Sequence, residues 1–231
     1  MGTRSLVASS LRGSGITALQ PHLPVSTSVL IGVAALAAAV LPGLSQITQH
    51  VNTMAHEGAH AVVGSVLGRR VTGVRLHGNG EGLTTMAPSA GIGFILAGVV
   101  GYLGPSAFGL GAAKLIAVGH AIAVLWVTLA ALLLLGILVR RSVFGIAAVI
   151  VTALGVFLVA RYTPVGAQVV LAYAIAWFLL LSGVQVVLAH GRNAGDAIAL
   201  RKLTRVPRGL WAAFWLAGTA AALLIGGSML I

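Results

Sequence analysis

The sequence predicts an all-α polytopic membrane protein with about 6–7 transmembrane helices and a small cytoplasmic β-hairpin. Three observations carry this. Hydrophobic side chains make up 58% of the 231 residues and charged ones only 7%, against about 25% charged residues in a soluble domain. The mean hydropathy is +1.05. The apolar residues also come in long runs, near the length of about 20 residues that a helix needs to cross hydrocarbon.

Residues 1–25 read as a loose cytoplasmic tail, and residues 26–231 as a single transmembrane domain. The opening MGTRSLVASSLRGSGITALQPHLPVS is basic and rich in Ser and Gly. It lacks the apolar core and small-residue cleavage site of a signal peptide, and Leu6 stands where a myristoylation signal wants Ser or Thr. Seven apolar segments follow: Ser26–Leu41, Ser45–Leu67, Ala90–Ala112, Leu115–Val139, Ser142–Ala160, Val165–Ala189 and Pro207–Ile231. Pro42-Gly43 closes the first, and Gly101-Tyr102-Leu103-Gly104-Pro105-Ser106 is expected to kink or break the third. Between the second and third, Val71, Val74 and Leu76 favour a strand. Gly78-Asn79-Gly80-Glu81-Gly82 is turn chemistry, and Leu83 to Met86 can return as a second strand.

With seven spans, alternate connections lie on opposite sides. All of the 14 Lys and Arg except Lys114 and Arg161 then fall on one side, which is therefore cytoplasmic, with the N-terminus inside and the C-terminus outside. This placement between apolar runs explains the net charge of +11 without a nucleic-acid partner, and none is expected. The absence of cysteine excludes disulfides, iron–sulfur clusters and thiol catalysis.

The second segment carries His56-Glu57-Gly58-Ala59-His60, the pattern H-E-x-x-H. Residues four apart project from one helix face, so His56 and His60 can grip one metal ion. Glu57, offset by one position, can act as general base toward a metal-activated water. Asn52 lies one turn before His56, while Gly64 and Gly68 continue the His60 line and would admit a neighbouring helix. Only three carboxylates exist, Glu57, Glu81 and Asp196, and an ionisable residue inside a span marks a functional site.

Two histidines leave a catalytic site one protein ligand short. His120, in the fourth span, and Asp196 are the main candidates. Glu81 sits in the turn, His50 and His77 suit surface or interfacial positions, and His22 and His190 fall at segment margins. The His56–His60 pair lies roughly 10–16 Å from the cytoplasmic end of its helix. Asp196 reaches it if its segment dips into the bundle, and otherwise caps a helix starting near Ala197. The GYLGPS segment reads as irregular backbone lining a wet cavity. Tyr102, Gly104 and Pro105 would then lie beside a bound substrate, with Asn52 close by. Its other reading is a Gly-Pro kink that serves packing alone.

His56 to His60, the GYLGPS segment and the segment GDAIALRKLTRVPRGLW together resemble the site-2-protease-like intramembrane zinc metallopeptidases. The likeness is closest to their compact bacterial branch without a PDZ domain and spans about Asn52 to Trp211. In that family the HExxH helix is followed by a short β-hairpin, a Gly-Tyr-x-Gly-Pro segment and a later Asp-containing motif. The resemblance implies one zinc ion per chain with His56, His60 and Asp196 as ligands and Glu57 as catalytic base. Larger members carry the Asp in a Leu-Asp-Gly motif, where this chain has Gly195-Asp196-Ala197. The expected activity is endopeptidase cleavage in or near the transmembrane segments of membrane proteins. The expected setting is the lipid bilayer of a bacterial plasma membrane, with an unwound substrate strand pairing on the hairpin edge. Two other classes fit parts of the pattern. A non-proteolytic scaffold or chaperone would keep the fold, but the complete His/Glu/His set argues against it. A metal- or proton-coupled transporter would use intramembrane His and carboxylates, but it would show paired broken helices, and the single Gly-Pro break has no counterpart.

Overall fold

Hydrocarbon offers no partner to a backbone N–H or C=O, so a chain this apolar must satisfy those groups within helices. The computed structural model describes residues 18–87, 92–139 and 142–231. Among them the helices are α1 (Val25–Val40), α2 (Leu44–Val66), α3 (Ile92–Ala117), α4 (Ala121–Leu138), α5 (Val143–Tyr162), α6 (Val165–His190), α7 (Gly195–Thr204) and α8 (Arg208–Leu230). Strands β1 (Val71–Leu76) and β2 (Gly82–Met86) fall between α2 and α3. Much of the expected N-terminal tail (1–17) and the Arg140–Arg141 pair lie outside the described residues. The fold class expected from composition is the one observed.

Helices α3, α4, α5, α6 and α8 are each long and apolar enough to cross a membrane. The first two apolar segments behave differently. Helix α1, with 16 residues, falls short of the roughly 20 that a span needs. Helix α2 carries Gln46, Thr48, Gln49, Asn52 and Thr53 in its first half. The two are long and apolar enough only together, as a pair bent by 97°, which brings the candidate spans up to six among the described residues. The corner forms at Pro42-Gly43, where Gly43 takes φ +86°, a conformation that glycine adopts without strain. The Thr48 hydroxyl donates across the corner to the Ala38 carbonyl at 2.7 Å.

The expected break at Gly104-Pro105 does not occur, and no irregular backbone lines a cavity there. Helix α3 runs unbroken from Ile92 to Ala117 with Pro105 inside it. The proline removes one N–H, but neighbouring helices close around the site, and Pro105 is fully buried. Gly104 makes this possible. A Cβ at that position would stand 2.3 Å from the Ala59 Cβ, so α2 and α3 approach as closely as small residues allow.

The expected hairpin is present. β1 and β2 pair antiparallel, with Val74 opposite Thr84 and Leu76 opposite Gly82, and with an irregularity between Val71 and Gly73. Val74 and Leu76 are buried with Met54, Ala61, Leu132, Leu135 and Val149, which seats the hairpin between α2 and the α4–α5 pair. Behind β1, Val139 forms an isolated parallel bridge to Val74.

The close α2–α3 contact predicts opposite outcomes at two helical glycines. Gly155, in α5, has open space where a Cβ would go, so Gly155→Ala should leave the detergent melting temperature unchanged or raise it. Gly104→Ala should cost about 1–3 kcal/mol of overpacking and lower the melting temperature by roughly 3–10 °C. Thermal scanning of the two purified variants checks both.

Candidate metal centre

Helical spacing puts Asn52, His56 and His60 on one face of α2, and that face meets α3. The third donor arrives with α7. This short helix begins at Gly195 after Ala194, with no side-chain cap, and ends at Arg205 in the left-handed region with φ 62°. Asp196 is therefore not the cap residue. It lies in the first turn, where a carboxylate favours the helix dipole, and Arg201 and Lys202 occupy the last turn. Ala197 and Leu200, one helical turn apart, are buried with Trp215 of α8 and Val187 of α6, so α7 dips into the bundle and brings its carboxylate to the histidines.

His56 Nε2 lies 3.1 Å from Asp196 Oδ2, His60 Nε2 lies 3.3 Å from the same oxygen, and the two Nε2 atoms are 3.1 Å apart. Ligand atoms at about 2.0–2.1 Å from a tetrahedral zinc stand roughly 3.3 Å from each other. The three donors thus match one triangular face of such a site. His60 Nδ1 donates to the Ala97 carbonyl at 2.7 Å, which fixes the ring and leaves the Nε2 lone pair for a metal. Burial pushes the Asp196 carboxyl up, but hydrogen bonds and charge from His56 and His60 outweigh it and hold the group well below its ordinary value. Gly101 of α3 faces the donors. A Cβ there would come within 2.4 Å of His60 Nε2 and 2.6 Å of His56 Nε2, so glycine keeps the space beside them open. Donor chemistry, spacing and clearance all fit a divalent metal.

Glu57, one residue off the histidine line, turns toward the hairpin and is only 4% exposed. The Thr84 hydroxyl donates to Glu57 Oε2 at 2.5 Å and also lies 3.2 Å from the Glu57 carbonyl oxygen. At Gly82 a Cβ would come within 2.6 Å of Glu57 Oε1. Tyr102 packs its ring edge-on to His56, with centroids 4.8 Å apart, and stacks on Trp215 at 4.6 Å. The Trp215 indole donates to the Val99 carbonyl, which ties α8 to α3.

The structure brings together His56, His60, Asp196, Glu57 and Tyr102 from the sequence reading. Gly104 and Pro105 lie one turn further along α3 and serve its packing. Asn52 is buried, and its amide oxygen accepts from the Ser182 hydroxyl at 3.1 Å. His120 precedes α4 and is not part of the donor group. Glu81 bonds with Asn79 in the exposed turn, and His50 packs on Phe144. Sequence reasoning missed Thr84, Gly82, Gly101 and Trp215. The first two lie in stretches read as a strand and a turn, and Gly101 opens the Gly-Pro segment.

The model of the family described as Peptidase M50B-like matches residues 29–226. No curated protein and no solved structure matches the chain.

Supplied with zinc and purified in detergent, the wild-type chain should hold about one zinc by elemental analysis. His60→Ala and Asp196→Ala should lose it, and His120→Ala should keep it. Gly101→Ala, whose methyl would crowd both Nε2 atoms, should lose most of the metal while remaining folded.

Proposed function

The chain belongs to the Peptidase M50B-like family, and we propose that it is an intramembrane zinc endopeptidase that cleaves membrane proteins in or near their transmembrane segments. The observation that carries this is the convergence of His56, His60 and Asp196 within 3.3 Å of one another, beside a buried Glu57, in a bundle of membrane-length helices. His56, His60 and Asp196 would hold the ion. When bound, zinc would supply Lewis-acid polarisation of a peptide carbonyl and lower the pKa of water.

The remaining chemistry belongs to the chain. Glu57 takes a proton from the attacking water and returns it to the departing amide nitrogen, so one carboxylate serves as base and then acid. Its burial keeps bulk water from competing. The ring of Tyr102, held between His56 and Trp215, forms a wall against which an extended substrate can lie.

A substrate helix hides its peptide bonds and must unwind before it can be cut. The hairpin supplies a partner for the unwound strand by backbone pairing. Strand β1 has β2 on one side and the Val139 bridge on the other. Pairing therefore falls to the outer edge of β2, the strand that lies against Glu57.

A re-entrant α1–α2 pair suits the charge distribution. It returns the chain to the side it came from, so the N-terminus and the hairpin share the cytoplasmic side with the α6–α8 connection. A single bent span would place Arg4 and Arg12 opposite the other basic connections.

The test is Glu57→Gln in liposomes containing a co-reconstituted membrane-spanning reporter. Zinc content should stay at the wild-type level while cleavage falls by about 10²–10⁴-fold. Full cleavage by the variant would remove Glu57 from the reaction and with it this assignment.

A further inference from the structure

A buried carboxylate needs a hydrogen-bond donor, and the hairpin provides one to Glu57. Residues 82 and 84 are two apart on one strand and so share a face. That face lies on the Glu57 side chain, with Thr84 donating to Oε2 and Gly82 leaving room against Oε1. The strand is braced from behind. Thr84 pairs with Val74, Val74 is completely buried, and Val139 bridges Val74 from its other side. Threonine in a strand also has few side-chain rotamers, so its hydroxyl is presented to the carboxylate in a narrow range of directions.

We propose that Thr84 is a positioning residue for the catalytic base. Its hydroxyl holds Oε2, so that the carboxylate is presented to the reacting water in a single orientation. This rests on the peptidase reading above and adds to it a role for the hairpin beyond substrate docking. A substrate strand paired along β2 would clamp the same strand that orients Glu57, so an occupied edge and an aligned base go together. A bond that merely fastened the hairpin to α2 would affect stability and not turnover.

Two substitutions separate these roles. Thr84→Ser keeps the hydroxyl, and Thr84→Val keeps the shape without it. Turnover and KM are measured on the reconstituted reporter, zinc by elemental analysis, and the Glu57 carboxylate by infrared spectroscopy of protein labelled with ¹³C-glutamate. The labelling is selective, because Glu57 and Glu81 are the only glutamates in the sequence, and Glu57→Gln identifies the relevant band. Thr84→Val should lower kcat by about 10–100-fold at unchanged KM and zinc content, and should shift the Glu57 band. Thr84→Ser should restore both. A Thr84→Val protein with wild-type kcat overturns the proposal, whether or not the band moves. So does a loss of kcat that Thr84→Ser does not restore. A folded, zinc-loaded wild type that never cleaves the reporter, while Thr84→Val still shifts the band, overturns the peptidase reading and leaves the hydrogen bond as a structural fastening.

Discussion

Ionisable groups inside an apolar bundle are costly unless they find partners, and in this chain the partners are one another. His56, His60 and Asp196 meet at hydrogen-bond distances. Much of the arrangement around them follows from that meeting. Helix α3 must come close enough for the Ala97 carbonyl to accept a hydrogen bond from His60 Nδ1, which requires glycine at 101 and 104, where a Cβ would strike α2. Helix α7 must turn inward, which Ala197 and Leu200 accomplish by burying themselves against α8 and α6. The packing is thus subordinate to a polar centre that the apolar surroundings force to be self-sufficient.

Around that centre the neighbours divide the work. The bundle side holds the donors through backbone and aromatic contacts, with Tyr102 edge-on to His56 and stacked on Trp215. The hairpin side holds the carboxylate of Glu57 through Thr84. The division follows from helix geometry. Adjacent positions on α2 point about 100° apart, so His56 and Glu57 face different walls of the molecule. The three donor side chains and Glu57 are therefore held by different walls, the helices on one side and the hairpin on the other.

Much of this was legible in the sequence. Apolar runs marked the helices, since hydrocarbon admits little else. The H-E-x-x-H spacing marked one face of α2, and glycine-rich turn chemistry between β-prone residues marked the hairpin. Asp196 stood out because the chain has so few carboxylates. What was not legible depends on contacts across the chain. Pro105 reads locally as a break, but burial among neighbouring helices keeps α3 continuous. The first two apolar runs read as separate spans. Only the 97° bend at Pro42-Gly43 shows that they work as a pair. Thr84 meets Glu57 across 27 residues, and nothing in its local sequence distinguishes it from Thr85, which is on the opposite face of the strand.

Asp196 lies 140 residues after His56, on a helix of 10 residues that does not itself cross the membrane. During synthesis α2 emerges with both histidines long before Asp196 exists, and the surface that seats Leu200 includes Trp215 of α8, which is made later still. The donor set is therefore completed late in the chain, by the penultimate helix packed against the last one. A chain that ends before α7 carries the recognisable motif without the third donor, so the signature in α2 is present before the centre that gives it meaning.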